Sequence, residues 1–245
     1  MKDIIGQENT PSLRFDAGNV LFPKAATAAQ PRELAVAAGI MDIYAAMAYD
    51  AVAVGANDLV AGVDFLQKNK KMPWLSANLT DAQGTPLFPA SLIVTRGDLR
   101  IGVIGLTGAV PMSQPDLRAG DWQRPLAEAL DKLRGECHLL VVLSNLSSEE
   151  NAKLAQNYPQ IHLLVTADGS RGNVLPRPEQ KPWVVQTMSQ GKTLGVLTLS
   201  GPAPPALPMD WEIRGTRSVP LKVSMPEDAA IAEMIGRIVE ASAAQ

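Results

Sequence analysis

The stretch Tyr49–Asp64, YDAVAVGANDLVAGVD, constrains the fold more than any other part of the chain. Ala51, Val52, Ala53 and Val54 are small or β-branched and uncharged, the pattern of a strand buried on both faces. The run breaks at Gly55 into the polar loop Ala56-Asn57-Asp58. Apolar residues return at Leu59, Val60 and Val63, and Phe65-Leu66 continue them at helical spacing. A strand, a tight polar loop and a helix deliver side chains to the carboxyl edge of an open α/β sheet. The loop offers Asn57 and Asp58 where metal or acid–base chemistry would call for histidine.

The same punctuation recurs along the chain. Ile4 to Leu13 reads as a polar arm. Leu13-Arg14-Phe15, the glycine loop Asp16–Asn19 and Val20–Pro23 read as a strand, a loop and an apolar continuation stopped by proline. Gln30 to Tyr49 is alanine-rich, with Leu34, Ala37, Ala38, Met41, Ala45 and Met47 at helical spacing and Pro31 in the first turn. A helix over about Val63–Asn69 precedes a short strand, Trp74–Asn78, and a turn, Thr80–Pro86. Ala90–Thr95 and Leu99–Leu106 flank Arg96-Gly97-Asp98 as a hairpin. Pro111–Gly120 reads as loop. Pro125–Arg134 and Glu149–Asn157 read as helices. Leu139–Leu143 and Ile161–Val165 read as apolar strands that end in Ser144-Asn145 and in Thr166–Gly172.

Trp183–Thr187 and Leu194–Leu199 are expected to pair as a second hairpin across Ser189–Lys192. Four prolines exclude regular structure from Gly201–Pro208. Trp211–Val223 reads as a last strand region. Pro226 opens a final helix with Ile231, Met234, Ile235 and Ile238 on one side, and Ser224 with Glu227 fits a capping box. Strands alternate with helices, which implies mixed β-sheet with helices on its faces. The polar loops that follow the strands would converge on one edge.

A chain of 245 residues can bury a sizeable core. A net charge of −3 gives no electrostatic reason to propose nucleic acid or an anionic membrane as partner. No run approaches the ~18 consecutive apolar residues of a transmembrane helix. Met1-Lys2-Asp3 is followed by no apolar core of a secretory signal. A single cysteine, Cys137, excludes an internal disulfide framework and cysteine-based metal clusters. Beside Leu139–Leu143 it reads as a buried structural thiol.

Taken in order, these loops resemble the catalytic domain of the 5′-nucleotidase branch of the calcineurin-like metallophosphoesterases. That family carries D-x-H, D-x-G-D, G-N-H-E-F-D-x-G, A-N, I-G-x-x-G-L, L-S-H and G-G-H-x-H, then a V-Q-x-x-x-x-G-K-x-L-G hairpin. Asp16–Asn19 matches the second element and Tyr49–Gly62 the third. Ala77-Asn78 matches A-N, and Ile101-Gly102 with Gly105-Leu106 matches the next. Leu143-Ser144-Asn145 sits at L-S-H, and Ala167–Ser170 at G-H-x-H. Val185-Gln186, Gly191-Lys192 and Leu194-Gly195 match the hairpin. Order and spacing hold from about residue 13 to 200. The helix beginning near Ser224 resembles the one that leads toward the family's C-terminal substrate-binding domain.

The resemblance implies an α/β, α+β sandwich-like fold: mixed β-sheets with helices on the outer faces, in a metallophosphatase-like four-layer architecture. It implies a single domain over residues 1–245, with 201–245 as a C-terminal extension carrying the final helix. The departures are as informative. Family members hold two metals that activate a water for attack on phosphorus. Asn19 replaces the bridging aspartate, Ala56-Asn57 replaces the Asn-His pair, Asn145 replaces the histidine of L-S-H, and Asp168 and Ser170 replace both histidines of G-H-x-H. The D-x-H element has no counterpart. The two histidines present, His138 and His162, stand at the starts of apolar strands, away from the loop ends.

Neutral amide oxygens are poor replacements for imidazole or a bridging carboxylate on a transition metal. No metal is expected. If one binds, Asp16, Asp58 and Asp168 are its candidate ligands, with Mn, Mg, Ca or Zn as the candidate ions. The competing reading makes Asp16 and Asp58 turn residues whose carboxylates bond backbone amides. The candidate pocket is Asp16, Asn19, Asn57, Asp58, Asn78, Asn145, Asp168 and Ser170, with Asn57 and Asp58 in a degenerate catalytic loop. Two functional readings stand: a degenerate nucleotidase-like domain acting as a binding or scaffold protein, or a working phosphoesterase with an atypical carboxylate–amide site. The expected partner is an unidentified small molecule or an envelope protein. The resemblance implies an extracytoplasmic, periplasmic location in a bacterium; the residues leave a cytoplasmic one open.

Overall fold

The computed structural model describes residues 11–24, 28–169, 172–201 and 210–243. Its strands are β1 (Phe15–Asp16), β2 (Ala51–Ala53), β3 (Trp74–Leu75), β4 (Leu79–Thr80), β5 (Ser91–Arg96), β6 (Leu99–Leu106), β7 (Arg118–Ala119), β8 (Leu139–Ser144), β9 (Leu163–Thr166), β10 (Trp183–Val185), β11 (Thr193–Ser200) and β12 (Glu212–Pro220). Its α-helices are α1 (Pro31–Ala46), α2 (Val63–Lys68), α3 (Gln123–Leu133), α4 (Ser148–Asn157) and α5 (Ala229–Ala243). A 3₁₀ turn at Asp58–Ala61 joins β2 to α2.

Side-chain alternation along the strands builds four layers. β1, β2 and β3 form a parallel sheet. β10, β9, β8, β6 and β5 form a larger one, parallel except where β5 runs against β6. Ala51 and Ala53 of β2 point into the core between the sheets, against Val103, Val141, Leu143 and Leu163. Val52 and Val54 point the other way, onto Ala37 and Met41 of α1 and Leu66 of α2. On the larger sheet Val142, Ile104, Leu106 and Leu164 point outward, onto Leu126, Ala129, Leu130 and Leu133 of α3 and Leu154 of α4. Successive strand residues face opposite sides, so both faces of each sheet are covered. Each fully buried Leu, Ile or Val contributes roughly 1.5–3 kcal/mol.

Local chemistry sets the helix starts. Pro31 occupies the first turn of α1. Ser147 caps α4: its Oγ accepts from the Glu150 N–H, and Glu150 Oε2 accepts from the Ser147 N–H, both at 3.3 Å. Ser144 Oγ donates to Asn151 Oδ1 at 2.7 Å, tying the end of β8 to α4. α5 lies outside this sandwich, on α1. Gly39 of α1 leaves room for Ile238, whose Cγ1 a Cβ there would overlap.

Three expectations need correction. Trp183–Thr187 does not form a hairpin with Leu194–Leu199. β10 joins the large sheet parallel to β9, and β11 pairs with β12. Trp183 is buried in the inter-sheet core, and that burial outweighs the local turn signal. Ser224 and Glu227 do not cap the last helix. It begins at Ala229, and Asp228 Oδ1 accepts from the Ala230 and Ile231 N–H groups at 3.1 and 3.2 Å. The loop and turn expected after Asn78 contain strands β4 and β7, which pair with each other. Most of the Ile4–Leu13 arm and of the proline segment lies outside the described residues.

Candidate functional site

Parallel strands point their carboxyl ends the same way, so the loops after β1, β2, β6 and β8 meet at one edge of the sandwich. At their centre is Asp58, in the first turn after β2 and fully buried. Its Oδ1 accepts from the Val20 and Leu21 N–H groups at 2.7 and 3.0 Å, and its Oδ2 from those of Asn19 and Gly55, both at 2.8 Å. Burial pushes the Asp58 carboxyl up to about 6, while those four N–H donors pull it back. Four N–H donors match the four lone pairs of a carboxylate, and both its oxygens are occupied by the backbone.

Asp16 stands beside it. Its Oδ1 accepts from the Gly18 N–H at 2.9 Å, closing a turn, and its Oδ2 from the Tyr44 hydroxyl of α1 at 3.0 Å. Burial raises the Asp16 carboxyl to about 6, opposed by these two donors and assisted by the charge on Asp58. Burial, then the charge on Asp16, pushes the Tyr44 phenol far up. Burial raises Tyr49, stacked on Tyr44 with ring centroids 4.3 Å apart, to about 12.

The amides work as fasteners. Asn19 adopts a left-handed backbone, φ 65°, and its Oδ1 accepts from the Asn57 N–H at 3.0 Å. Asn57 is half-buried. Asn78 is buried: its Oδ1 accepts from the Thr107 N–H at 2.9 Å, and its Nδ2 donates to the carbonyls of Thr107 and Gly120 at 2.8 and 3.1 Å. Asn145 Oδ1 accepts from the Gly108 N–H at 2.8 Å, and its Nδ2 donates to the carbonyls of Ala17 and Val54 at 3.1 and 3.0 Å. Val54 O also accepts from Thr107 Oγ1 at 2.8 Å. Six of the sequence candidates thus meet in one region: Asp16, Asn19, Asn57, Asp58, Asn78 and Asn145.

Asp168 belongs to a second network. Ser148 Oγ donates to its Oδ2. Its N–H donates to Gln186 Oε1, and its carbonyl accepts from Gln186 Nε2, both at 3.0 Å. Ser170 lies outside the described residues. Thr107, Tyr44 and Gln186 were not singled out as site residues by the sequence. Gln186 stood in a matched motif, but nothing in its spacing marks it as the buried anchor of the loop after β9. His138 Nδ1 accepts from the Arg100 N–H at 2.9 Å and His162 Nδ1 from the Leu140 N–H at 3.1 Å. Both stand where strands begin, at the opposite edge from this site.

Divalent metals would need oxygens or nitrogens that converge with free lone pairs. Asp58 directs both oxygens at backbone donors, Asp16 at a backbone N–H and a phenol, and Asn145 turns its amino group toward two carbonyls. Among the described residues no group of three His, Cys, Asp or Glu side chains is placed to hold a metal. This donor set does not fit a dinuclear centre.

Comparison of the sequence with known families and with curated proteins finds no match. Solved structures do match. The 5′-nucleotidase precursor of Thermus thermophilus superposes with a TM-score of 0.74 at 22% identity, over 99% of this chain and 52% of that one. The sulfate thiohydrolase SoxB of the same organism gives 0.71 at 21% identity, over 98% and 44%. The NAD nucleotidase of Haemophilus influenzae gives 0.73 at 16% identity, over 99% and 53%. The chain spans about half the length of the structures it matches. With two sheets packed face to face between helices, and with these matches, the chain has the fold of 5′-nucleotidase-like metallophosphoesterase domains.

Proposed function

We propose that this domain is a catalytically degenerate phosphoesterase fold that serves as a binding or scaffold unit. One observation carries the reading: the polar groups at the loop edge are spent on backbone hydrogen bonds. Asp58 takes four N–H donors, and Asn145 uses its amide to join three loops. Metal-assisted attack on phosphorus needs ligands free to hold the ions and a water between them. Neutral amides, Asn19, Asn57 and Asn145, stand at three of the positions that the motif resemblance equates with metal-binding or catalytic side chains. The fold alone assigns no chemistry. We assign the domain to the envelope of a bacterium, outside the cytoplasm, because the resemblance is to a branch of exported proteins. Its partner there is an envelope protein or a small molecule.

Purified protein incubated with p-nitrophenyl phosphate or nucleoside monophosphates, with Mn²⁺, Mg²⁺ or Zn²⁺, is the test. The expected result is no turnover above the metal-only blank and no stoichiometric metal by elemental analysis. Robust metal-dependent hydrolysis would overturn the proposal in favour of a working carboxylate–amide site at Asp16, Asp58 or Asp168.

A further inference from the structure

The side chain of Asn145 bonds to loops of both sheets. The residue follows β8 of the large sheet. Its Nδ2 donates to the carbonyl of Ala17, after β1, and to that of Val54, after β2, both in the small sheet. Its Oδ1 accepts from the N–H of Gly108, after β6 of the large sheet. One carboxamide therefore spans four strand ends and both sheets. A carboxamide suits this geometry and few other side chains do. Two N–H donors and one acceptor are needed together. Neutral histidine supplies one donor and one acceptor, aspartate supplies acceptors alone, and leucine supplies neither.

The backbone around Asn145 is shaped for the same contact. Gly18 has φ 97°, and a Cβ there would lie 2.6 Å from Ala53 O and 3.1 Å from Asn145 Nδ2. A Cβ on Gly108 would overlap the Asn145 carbonyl oxygen. Both loops can approach because neither carries a side chain. Val54 O, which receives Asn145, also receives Thr107 Oγ1, and Ser76 Oγ and Thr107 Oγ1 lie 2.7 Å apart. The clasp therefore continues into the loops after β3 and β6.

We propose that Asn145 is a clasp that fastens the two sheets of this chain at their carboxyl edge, and that this role excludes a metal-ligating side chain at position 145. It rests on the same Asn145 hydrogen bonds that support the proposed function, but it is read by hydrogen exchange and unfolding rather than by turnover, so the failure of one can be told from the failure of the other.

Amide hydrogen exchange on the unaltered protein gives the first test. The Gly108 N–H is expected to exchange as slowly as the amides inside β6 and β8. Exchange at the rate of the exposed turn amide of Gly97 would overturn the proposal. Asn145→Asp gives the second: it keeps size and acceptor but loses both donors. Loss of two partly buried hydrogen bonds predicts roughly a tenfold or larger acceleration of exchange at Gly108, with the centres of α3 and α4 unchanged. Unchanged exchange at Gly108 would refute the clasp. Asn145→His gives the third, by thermal unfolding with and without Zn²⁺ or Mn²⁺. It is expected to melt below the parent protein, with no recovery on adding metal. A metal-dependent rise in its Tm would show that the position accepts a ligand, and the exclusion would fall.

Discussion

A carboxylate surrounded by four N–H groups leaves little room for substitution. Asp58→Asn keeps the shape of the side chain but turns an amino group toward backbone donors. One of the two pairs, Asn19/Gly55 or Val20/Leu21, then faces a donor instead of an acceptor. Each buried donor left unpaired costs about 1–3 kcal/mol. The expected loss is about 3 kcal/mol, read as a fall in the urea midpoint at unchanged slope. A midpoint within error of the parent would show that Asp58 does not organise the loop. At this scale the sequence offered backbone bonding by Asp16 and Asp58 as one of two readings, against metal ligation. Asp16, Asn19, Asn57, Asp58, Asn78 and Asn145 are where the loop pattern put them, at one edge. Whether Asp58 is a ligand or a fastener depends on partners 37 to 39 residues away, at Leu21, Val20 and Asn19. Local spacing carries no trace of them.

Elements were legible where a period runs long enough to dominate. α1 and α3 follow the helical spacing of their apolar residues, and β5 and β6 form the hairpin announced by Arg96-Gly97-Asp98. The pairing of β10 was not legible, because Trp183–Val185 carries the same local signal whether it turns back on β11 or joins β9. The burial of Trp183 decides between them. α5 offers a test at this scale. Filling a glycine inside a helix normally gains about 0.5–1 kcal/mol as alanine. At Gly39 the added carbon would overlap Ile238, and overpacking costs about 1–3 kcal/mol. Gly39→Ala is therefore expected to loosen α5, seen as faster proteolysis in the segment 221–228. Adding Ile238→Ala should return the rate toward that of Ile238→Ala alone. A Gly39→Ala protein with unchanged proteolysis would show that α5 shifts without cost.

For the whole molecule the buried aspartates set a dependence on pH. The Asp16 and Asp58 carboxyls rise from 3.8 to about 6 on folding. Between these values the folded chain holds protons that the unfolded chain has released. Their contribution to stability is full below about pH 4 and is lost as pH rises through about 6. Asp16→Asn removes one of the two titrations. Its Tm is expected to fall less than the parent's between about pH 4 and pH 6.5, measured by thermal unfolding at matched ionic strength. An identical slope in both proteins would mean that Asp16 keeps its ordinary acidity.

The sequence by itself determined that small and β-branched runs become strands, that polar loops follow them, and that helices lie between, because these are local periods and breaks. The order of the motifs carried the four-layer fold with them. Only the tertiary structure decided what the polar loop ends do. Asn145 reaches partners 91 and 128 residues away in sequence. A hydrogen bond acts over about 3 Å, so its meaning exists only once the two sheets have been brought together.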